Sequence, residues 1–328
     1  MHHLVIGEGQ IGRAVIDRAL ADGDTVTVLR RSPAPQEPGL RRVTGDLLAP
    51  GVLEEAVSGA EAIHACFHAP YDARIWQRQL PPRELAVLDA AASAGVPVTF
   101  PESMYAFQGG ASDLHEGAPM TPRDAKGEVR RQLLERRRTH DARTLSVVAS
   151  DLSGPTTVGT GAAVMSVMLI ERIVAGSRPV VIGDPEAPHS LTFVPDLAAA
   201  ILHAARHAQR LAPDGDAVLH APSAPARSQR ELIAATSALL DVPVRRPLVV
   251  PRIAVRALSP LSTLARELHG IAGIWYAPCV LRPGILAAQE GMRPTSWQDA
   301  LAATVRSAST ARPSAAGARP VAARGPAC

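Results

Sequence analysis

Lysine and asparagine are almost missing from this chain of 328 residues. Of its 34 basic residues only Lys126 is a lysine, and asparagine does not occur at all. Any Asn-based proton relay is therefore excluded. The lone lysine is a candidate for chemistry that arginine cannot do, because a guanidinium does not deprotonate and is a wide planar fork. Survival of one surface lysine by chance is the competing reading. Aromatic residues are scarce, and only Tyr71, Tyr105 and Tyr276 could offer a phenol. Three scattered cysteines, Cys66, Cys279 and Cys328, make no disulfide framework. No apolar run approaches the roughly 20 residues needed to span a bilayer, and the start has no signal-peptide pattern. The net charge is only +3. No basic block is interleaved with aromatics, which argues against a nucleic-acid partner. The expectation is a cytoplasmic protein with no membrane contact and no nucleic-acid contact.

What the chain does have is a regular alternation of short apolar runs and amphipathic stretches. Residues 3–6 form an apolar run that stops at Gly7, as a buried strand does. Residues 11–20 place apolar side chains at helical spacing and end near Gly23. Residues 25–29 are rich in β-branched side chains and predict a second strand. Further strands are predicted at 62–67, 96–100 and 145–149. Helices are predicted at 52–57, at 82–94 with Gly95 as the C-cap, and at 124–140. Strands alternating with helices imply right-handed crossovers and a parallel sheet. The fold class expected is α/β, a doubly wound Rossmann sheet with a smaller C-terminal α/β substrate-binding region. Past Pro155 the rhythm loosens, with helices predicted at 161–175, 195–207, 229–240 and 297–305. The expected division is a dinucleotide-binding domain at 1–155 and a substrate-binding region at 156–308 that partly packs back on it. Residues 309–328 lack apolar periodicity and read as a disordered tail.

Gly7-Glu8-Gly9-Gln10-Ile11-Gly12 fits G-x-G-x-x-G at the first strand-to-helix turn, the context that the dinucleotide fingerprint requires. Gly7 permits the tight turn, Gly9 leaves room for a pyrophosphate, and Gly12 lets the helix pack close. Gln10 and Ile11 open the helix whose first amides would hold the pyrophosphate. At the end of the second strand an acid would favour NAD by binding the ribose hydroxyls. Arg30-Arg31 stands there instead, a pair suited to a 2′-phosphate. The cofactor expected is NADP, with NAD as the alternative. Asp46, after the third strand, is a candidate adenine contact or a turn cap. His64, Cys66 and His68 share one strand face, but a buried strand explains them better than a metal, and none is expected. Arg136-Arg137-Arg138 reads as a solvated helix end.

These segments resemble the extended and atypical short-chain dehydrogenase/reductase superfamily, which includes the NAD-dependent epimerase/dehydratases. The likeness rests on the glycine loop, Gly45-Asp46-Leu47, residues 103–107, 150–155 and 193–197. The resemblance implies a Ser, a Tyr and a Lys in the active site. Ser103 falls on the Ser position and Lys126 on the Lys position, where it would hold the nicotinamide ribose. The Tyr position is Pro122, which cannot transfer a proton. Tyr105, two residues past Ser103 at a strand end, is the favoured substitute, with Tyr71 as the rival. His68, Tyr71, Asp151 and His189 are weaker candidates for substrate contact. Val148 and Ser153 stand where the family's usual Arg and Tyr would be, which weakens a nucleotide-sugar reading.

The resemblance implies an NAD(P)-dependent oxidoreductase or epimerase-like enzyme acting on a small carbonyl or hydroxyl compound, with homodimerisation left open. The alternative is a catalytically silent NADP-binding redox sensor or scaffold, favoured by Pro122.

Overall fold

The apolar runs assemble into one parallel sheet. The computed structural model describes residues 1–160 and 163–311. Its central strands are β1 (His2–Ile6), β2 (Thr25–Arg30), β3 (Leu40–Thr44), β4 (Ala62–Ala65), β5 (Val98–Ser103), β6 (Thr144–Ala149) and β7 (Asp216–His220). They lie in the order β7-β6-β5-β4-β1-β2-β3, every pair parallel. The chain winds outward from β1 in both directions, so the crevice where the order reverses lies between β1 and β4.

The period of two sorts the side chains to two faces. Val5, Val26 and Val28 pack under α1 (Gln10–Ala21) and α5 (Val194–Arg206). Leu4, Ile6 and Ile63 pack on the other face with Val87 and Leu88 of α3 (Ala73–Ala94) and with α2 (Val52–Val57). Both β7 and α5 come from beyond residue 156, so that part of the chain completes the sheet and covers one face. A second core joins the 3₁₀ segment Met104–Asp113 to Leu169, Ile173, Leu232, Trp275 and Leu301. Leu232 lies on α6 (Gln229–Leu239) and Leu301 on α8 (Trp297–Thr310), while α7 (Thr263–Gly270) lies between them in the chain.

Three elements differ from the expectation. The helix predicted at 82–94 starts at Ala73, because Asp72 caps it by accepting from the amides of Arg74 and Ile75. Pro81 and Pro82 sit inside it rather than at its start. The helix predicted at 161–175 contains a π-helical stretch, Ser166–Glu171, and Gly161 and Ala162 lie outside the described residues. The last helix runs to Thr310, so the first residues of the predicted tail are helical, and the rest of it, 312–328, lies outside the described residues.

Polar groups in the sheet are accounted for. His3 Nδ1 lies 2.9 Å from His64 Nε2, and His64 Nδ1 lies 2.8 Å from Thr99 Oγ1. His3 Nε2 reaches Asp24 at 3.0 Å. This chain of bonds crosses β1, β4 and β5, and it uses both nitrogens of His64 for structure. Among the described residues no helix is long and apolar enough to cross a membrane.

Candidate active site

The glycine loop is built as its spacing requires. Gly7 has φ +96°, and a Cβ there would lie 2.8 Å from Phe67 Cα. A Cβ on Gly12 would lie 1.9 Å from the Gly7 carbonyl, so only hydrogen lets α1 pack against the turn. Around Gly9 a Cβ would meet nothing within 4 Å. That open face, next to the orphan amides at the start of α1, leads into a cavity of about 900 Å³ over the carboxyl ends of the sheet strands. Of the residues expected at the site, all but Gly12 and Lys126 border this cavity. A nicotinamide dinucleotide fits these features: an amide-lined helix start, an uncrowded Gly9 and a long cavity at the switch point of the sheet.

At the β2 end, Arg30 is paired with Glu8 at 2.6 Å. Glu8, the second residue of the glycine motif, also meets Arg42 and Arg13, each at 3.1 Å. It is buried, yet hydrogen bonds from Arg42 and Arg30 outweigh that burial and hold its carboxyl below the usual range. Arg31 is exposed at the cavity edge and makes no ion pair among the described residues. Asp46 borders the cavity, and its carboxylate accepts from the Leu48 amide at 3.0 Å as a turn cap. The Gln10 side chain accepts from the Thr160 hydroxyl at 3.2 Å, while Ile11 packs into the core below.

At the β4–β5 end the scarce aromatics gather. The hydroxyls of Tyr71 and Tyr105 lie 3.1 Å apart. Trp76 stacks on Tyr105 with centroids 6.1 Å apart, and meets His68 edge-on at 4.6 Å. Burial pushes the Tyr105 phenol up to about 12, and burial with the neighbouring Tyr105 also raises Tyr71. Both phenols therefore keep their protons at neutral pH. Ser103 caps the 3₁₀ segment, its Oγ accepting from the Tyr105 amide at 3.4 Å. His68 donates from Nδ1 to the Ala69 carbonyl and accepts from Arg130 at Nε2. Burial, then the Arg130 charge, lowers its pKa to about 4, so it is neutral. Asp151 accepts from the amides of Val164 and Met165, and burial raises it to about 6 despite those bonds.

Below this cluster lies an ionic network. Arg137 of α4 (Ala125–Thr139) is 1 % exposed, not a solvated helix end. It holds Glu84 at 2.7 Å and Glu102 at 2.9 Å, and lies 3.9 Å over the Phe100 ring. Arg130 approaches Glu102 at 3.5 Å and covers Trp76. The spacing carried a signal: Lys126, Arg130 and Arg137 fall on the face of α4 that also carries Leu133, which is buried. A run of three arginines hid it.

Lys126 is the residue that the structure does not bring to the cavity. Its ammonium is buried, 2.6 Å from Glu267 of α7 and 3.3 Å from Asp124. It also lies 4.8 Å from the Tyr71 ring centroid. Expected at the nicotinamide ribose, its ammonium here is held by two carboxylates, behind the Tyr71 ring that borders the cavity. Glu8, Glu102, Trp76, Ser150 and Trp275, which all border the cavity, were not foreseen. Glu8 and Ser150 lie inside segments that carry the likeness, but the motifs give their side chains no role, and the surroundings of Glu102, Trp76 and Trp275 come from other elements.

The profile of the NAD dependent epimerase/dehydratase family matches residues 3–219. The chain belongs to that family. Solved structures agree in fold. UDP-glucose 4-epimerase from Thermotoga maritima, crystallised with UDP-glucose, superposes with a TM-score of 0.71 at 17% identity, covering 94% of this chain and 98% of that one. UDP-glucose 4-epimerase from Thermus thermophilus, in complex with NAD, gives 0.69 at 17%, covering 95% and 100%. A double mutant of the dTDP-glucose 4,6-dehydratase DesIV from Streptomyces venezuelae, with NAD bound, gives 0.69 at 20%, covering 94% and 96%. No curated protein sequence matches the chain significantly.

Proposed function

We propose that the protein is an NADP-preferring oxidoreductase that reduces a small carbonyl compound, using Tyr105 as the proton donor in place of the phenol missing at Pro122. The observation that carries this reading is the Tyr71–Tyr105 hydroxyl pair beside Ser103 in the cofactor cavity. The glycine loop and the start of α1 would hold the pyrophosphate, and Arg31, with Arg30 beside it, the 2′-phosphate. When bound, the nicotinamide supplies the hydride. Ser103 polarises the carbonyl, and Tyr105 donates its proton to the developing alkoxide. A phenol near 12 is a poor base but a competent acid toward an alkoxide. Tyr71 hydrogen-bonds Tyr105 and passes a proton from the exposed side to replace the one given up. Lys126 acts as a positioning residue for the Tyr71 ring rather than as a ribose contact. The region from 156 onward supplies the far wall of the cavity and is read as the substrate-binding half. The site is expected to work in the cytoplasm on a soluble substrate.

Single-turnover oxidation of bound NADPH tests this reading, across a panel of small aldehydes and ketones and with the alcohols as the reverse reaction. Faster turnover of carbonyls than of alcohols at neutral pH is expected. NADPH binding with no turnover of any compound would favour the redox sensor or scaffold that Pro122 suggests.

A further inference from the structure

The cavity continues past the tyrosine pair to a wall formed by the end of β6 and the C-terminal half, and that wall carries three polar side chains with no ordinary hydrogen-bond partner among the described residues. His189 is 4 % exposed, borders the cavity, and neither of its ring nitrogens has a hydrogen-bond partner among the described residues. Its ring stacks on Trp275 at 4.6 Å and 11°. Trp275 is 5 % exposed, and its indole N–H is buried without an acceptor. The Ser150 hydroxyl is buried and makes no hydrogen bond of normal geometry, with only the weakly polar Cys279 thiol beside it. Buried polar groups are nearly always satisfied, and one left unpaired costs on the order of 1–3 kcal/mol. Two such atoms at one cavity wall, Ser150 Oγ and Trp275 Nε1, with the His189 ring stacked on the indole, mark the place where a ligand completes the bonding.

Their position agrees. Ser103 pairs in register with Ala149, so Ser150 stands one residue beyond Ser103's neighbour, on the adjacent strand end. The subsite thus adjoins the group read as the carbonyl polariser.

The charges around it set the class of ligand. Arg30, Arg31 and Arg83 border the cavity at the far end, near Asp46. Arg137 also borders it but is held by Glu84 and Glu102, and Arg130 borders it with its charge paired to Glu102 at 3.5 Å and a bond to His68, its Nε making no hydrogen bond among the described residues. No other arginine or lysine borders the cavity among the described residues. Asp151 is the carboxylate at this end, and both of its oxygens accept from amides. Val164, Leu268 and Ile274 supply apolar wall. A phosphate or diphosphate placed here would be desolvated without a free cation to pair it, which is strongly unfavourable.

We propose that Ser150, His189 and Trp275 form the substrate-recognition subsite, and that it takes an uncharged, compact, largely apolar molecule through its hydroxyl or carbonyl groups. Trp275 donates, Ser150 donates or accepts, and the neutral His189 ring does either through its two nitrogens. This rests on the oxidoreductase reading above and adds the substrate class. It also separates this site from that of the structural neighbour crystallised with UDP-glucose.

The test is calorimetric titration of the NADPH-loaded full chain with two sets of probes. One set is uncharged: cyclohexanone, acetophenone, benzyl alcohol and 1-phenyl-1,2-ethanediol. The other is UDP and UDP-glucose. Saturable binding of an uncharged probe is expected, weakened about tenfold or more in His189→Phe and in Trp275→Phe, with NADPH affinity retained. Ser150→Ala, the smallest change, repeats the comparison where an aromatic replacement disturbs folding. Saturable binding of UDP or UDP-glucose overturns the proposal. So does an uncharged panel from which nothing binds, or binding indifferent to all three substitutions. Binding is read without turnover, so a probe that binds in this pattern but is not reduced counts against the proposed reaction and leaves the subsite standing.

Discussion

At the scale of single residues, the two ends of the cavity make separate predictions. Arg31 is exposed at the end of β2 and makes no ion pair among the described residues, whereas Arg30 is already held by Glu8. A 2′-phosphate would therefore draw mainly on Arg31. Arg31→Ala should weaken NADPH about tenfold, a loss of ~1.4 kcal/mol, and leave NADH within twofold. Fluorescence titration of both cofactors checks this; an equal loss for both would show that Arg31 does not read the phosphate. Lys126 makes a different prediction. Its ammonium is fixed by Glu267 and Asp124, and the pocket leaves it 1 % exposed. Lys126→Arg inserts a wider fork into a filled space, which typically costs about 1–3 kcal/mol. Chemical denaturation should show that loss while NADPH affinity stays unchanged. A variant of native stability with weakened cofactor binding would restore Lys126 to the ribose. Sequence alone could single this lysine out, because the chain has no other. It could not show the partner, since Glu267 lies 141 residues away.

At the scale of elements, α4 is where reading and structure diverge most. Its bounds were legible from the charged run, and Asp124, where the predicted helix starts, is its cap. Its buried face was not, because burial of Arg137 depends on Glu84 from α3 and Glu102 from β5. Such an arrangement leaves no local trace. Removing the cation strands two buried carboxylates, so Arg137→Met should cost about 3–5 kcal/mol of unfolding free energy. Equilibrium urea denaturation measures it. A loss under ~1 kcal/mol would mean that Glu84 and Glu102 find solvent or protons without difficulty. Similarly, the start of α3 was misplaced because Pro81 and Pro82 resemble a helix start. The Asp72 cap, ten residues earlier, is the physical signal that outweighs them. The glycine loop, by contrast, was legible, since Gly7 and Gly12 answer local steric demands and Gly9 leaves the open face that the spacing predicts.

At the scale of the whole molecule, the sheet follows from the alternation of apolar runs, and the family match agrees with it. The far wall was not legible, because His189 and Trp275 meet only through long connections. The many buried neutral histidines also give the fold a pH dependence. Burial lowers His3 and His64, holds His68 near 4 and His189 near 3. The unfolded chain takes up these protons below about 6.5, while the native state does not. Stability is therefore full above that value and is lost as pH falls toward 4 and below. Asp151, raised to about 6, opposes this weakly. Denaturation midpoints measured from pH 7.5 to 4.5 should fall steadily, and less steeply in His189→Phe. A flat profile would contradict the neutral, buried state of these rings.

The central claim is that a tyrosine outside the usual position supplies the proton in this cavity. Single-turnover hydride transfer from NADPH, compared between the wild type and Tyr105→Phe on the best carbonyl substrate, tests it most directly. Unchanged NADPH affinity is expected, with a rate lower by roughly a hundredfold to ten-thousandfold, the usual cost of losing a positioned acid. A Tyr105→Phe variant that transfers hydride as fast as the wild type would contradict it.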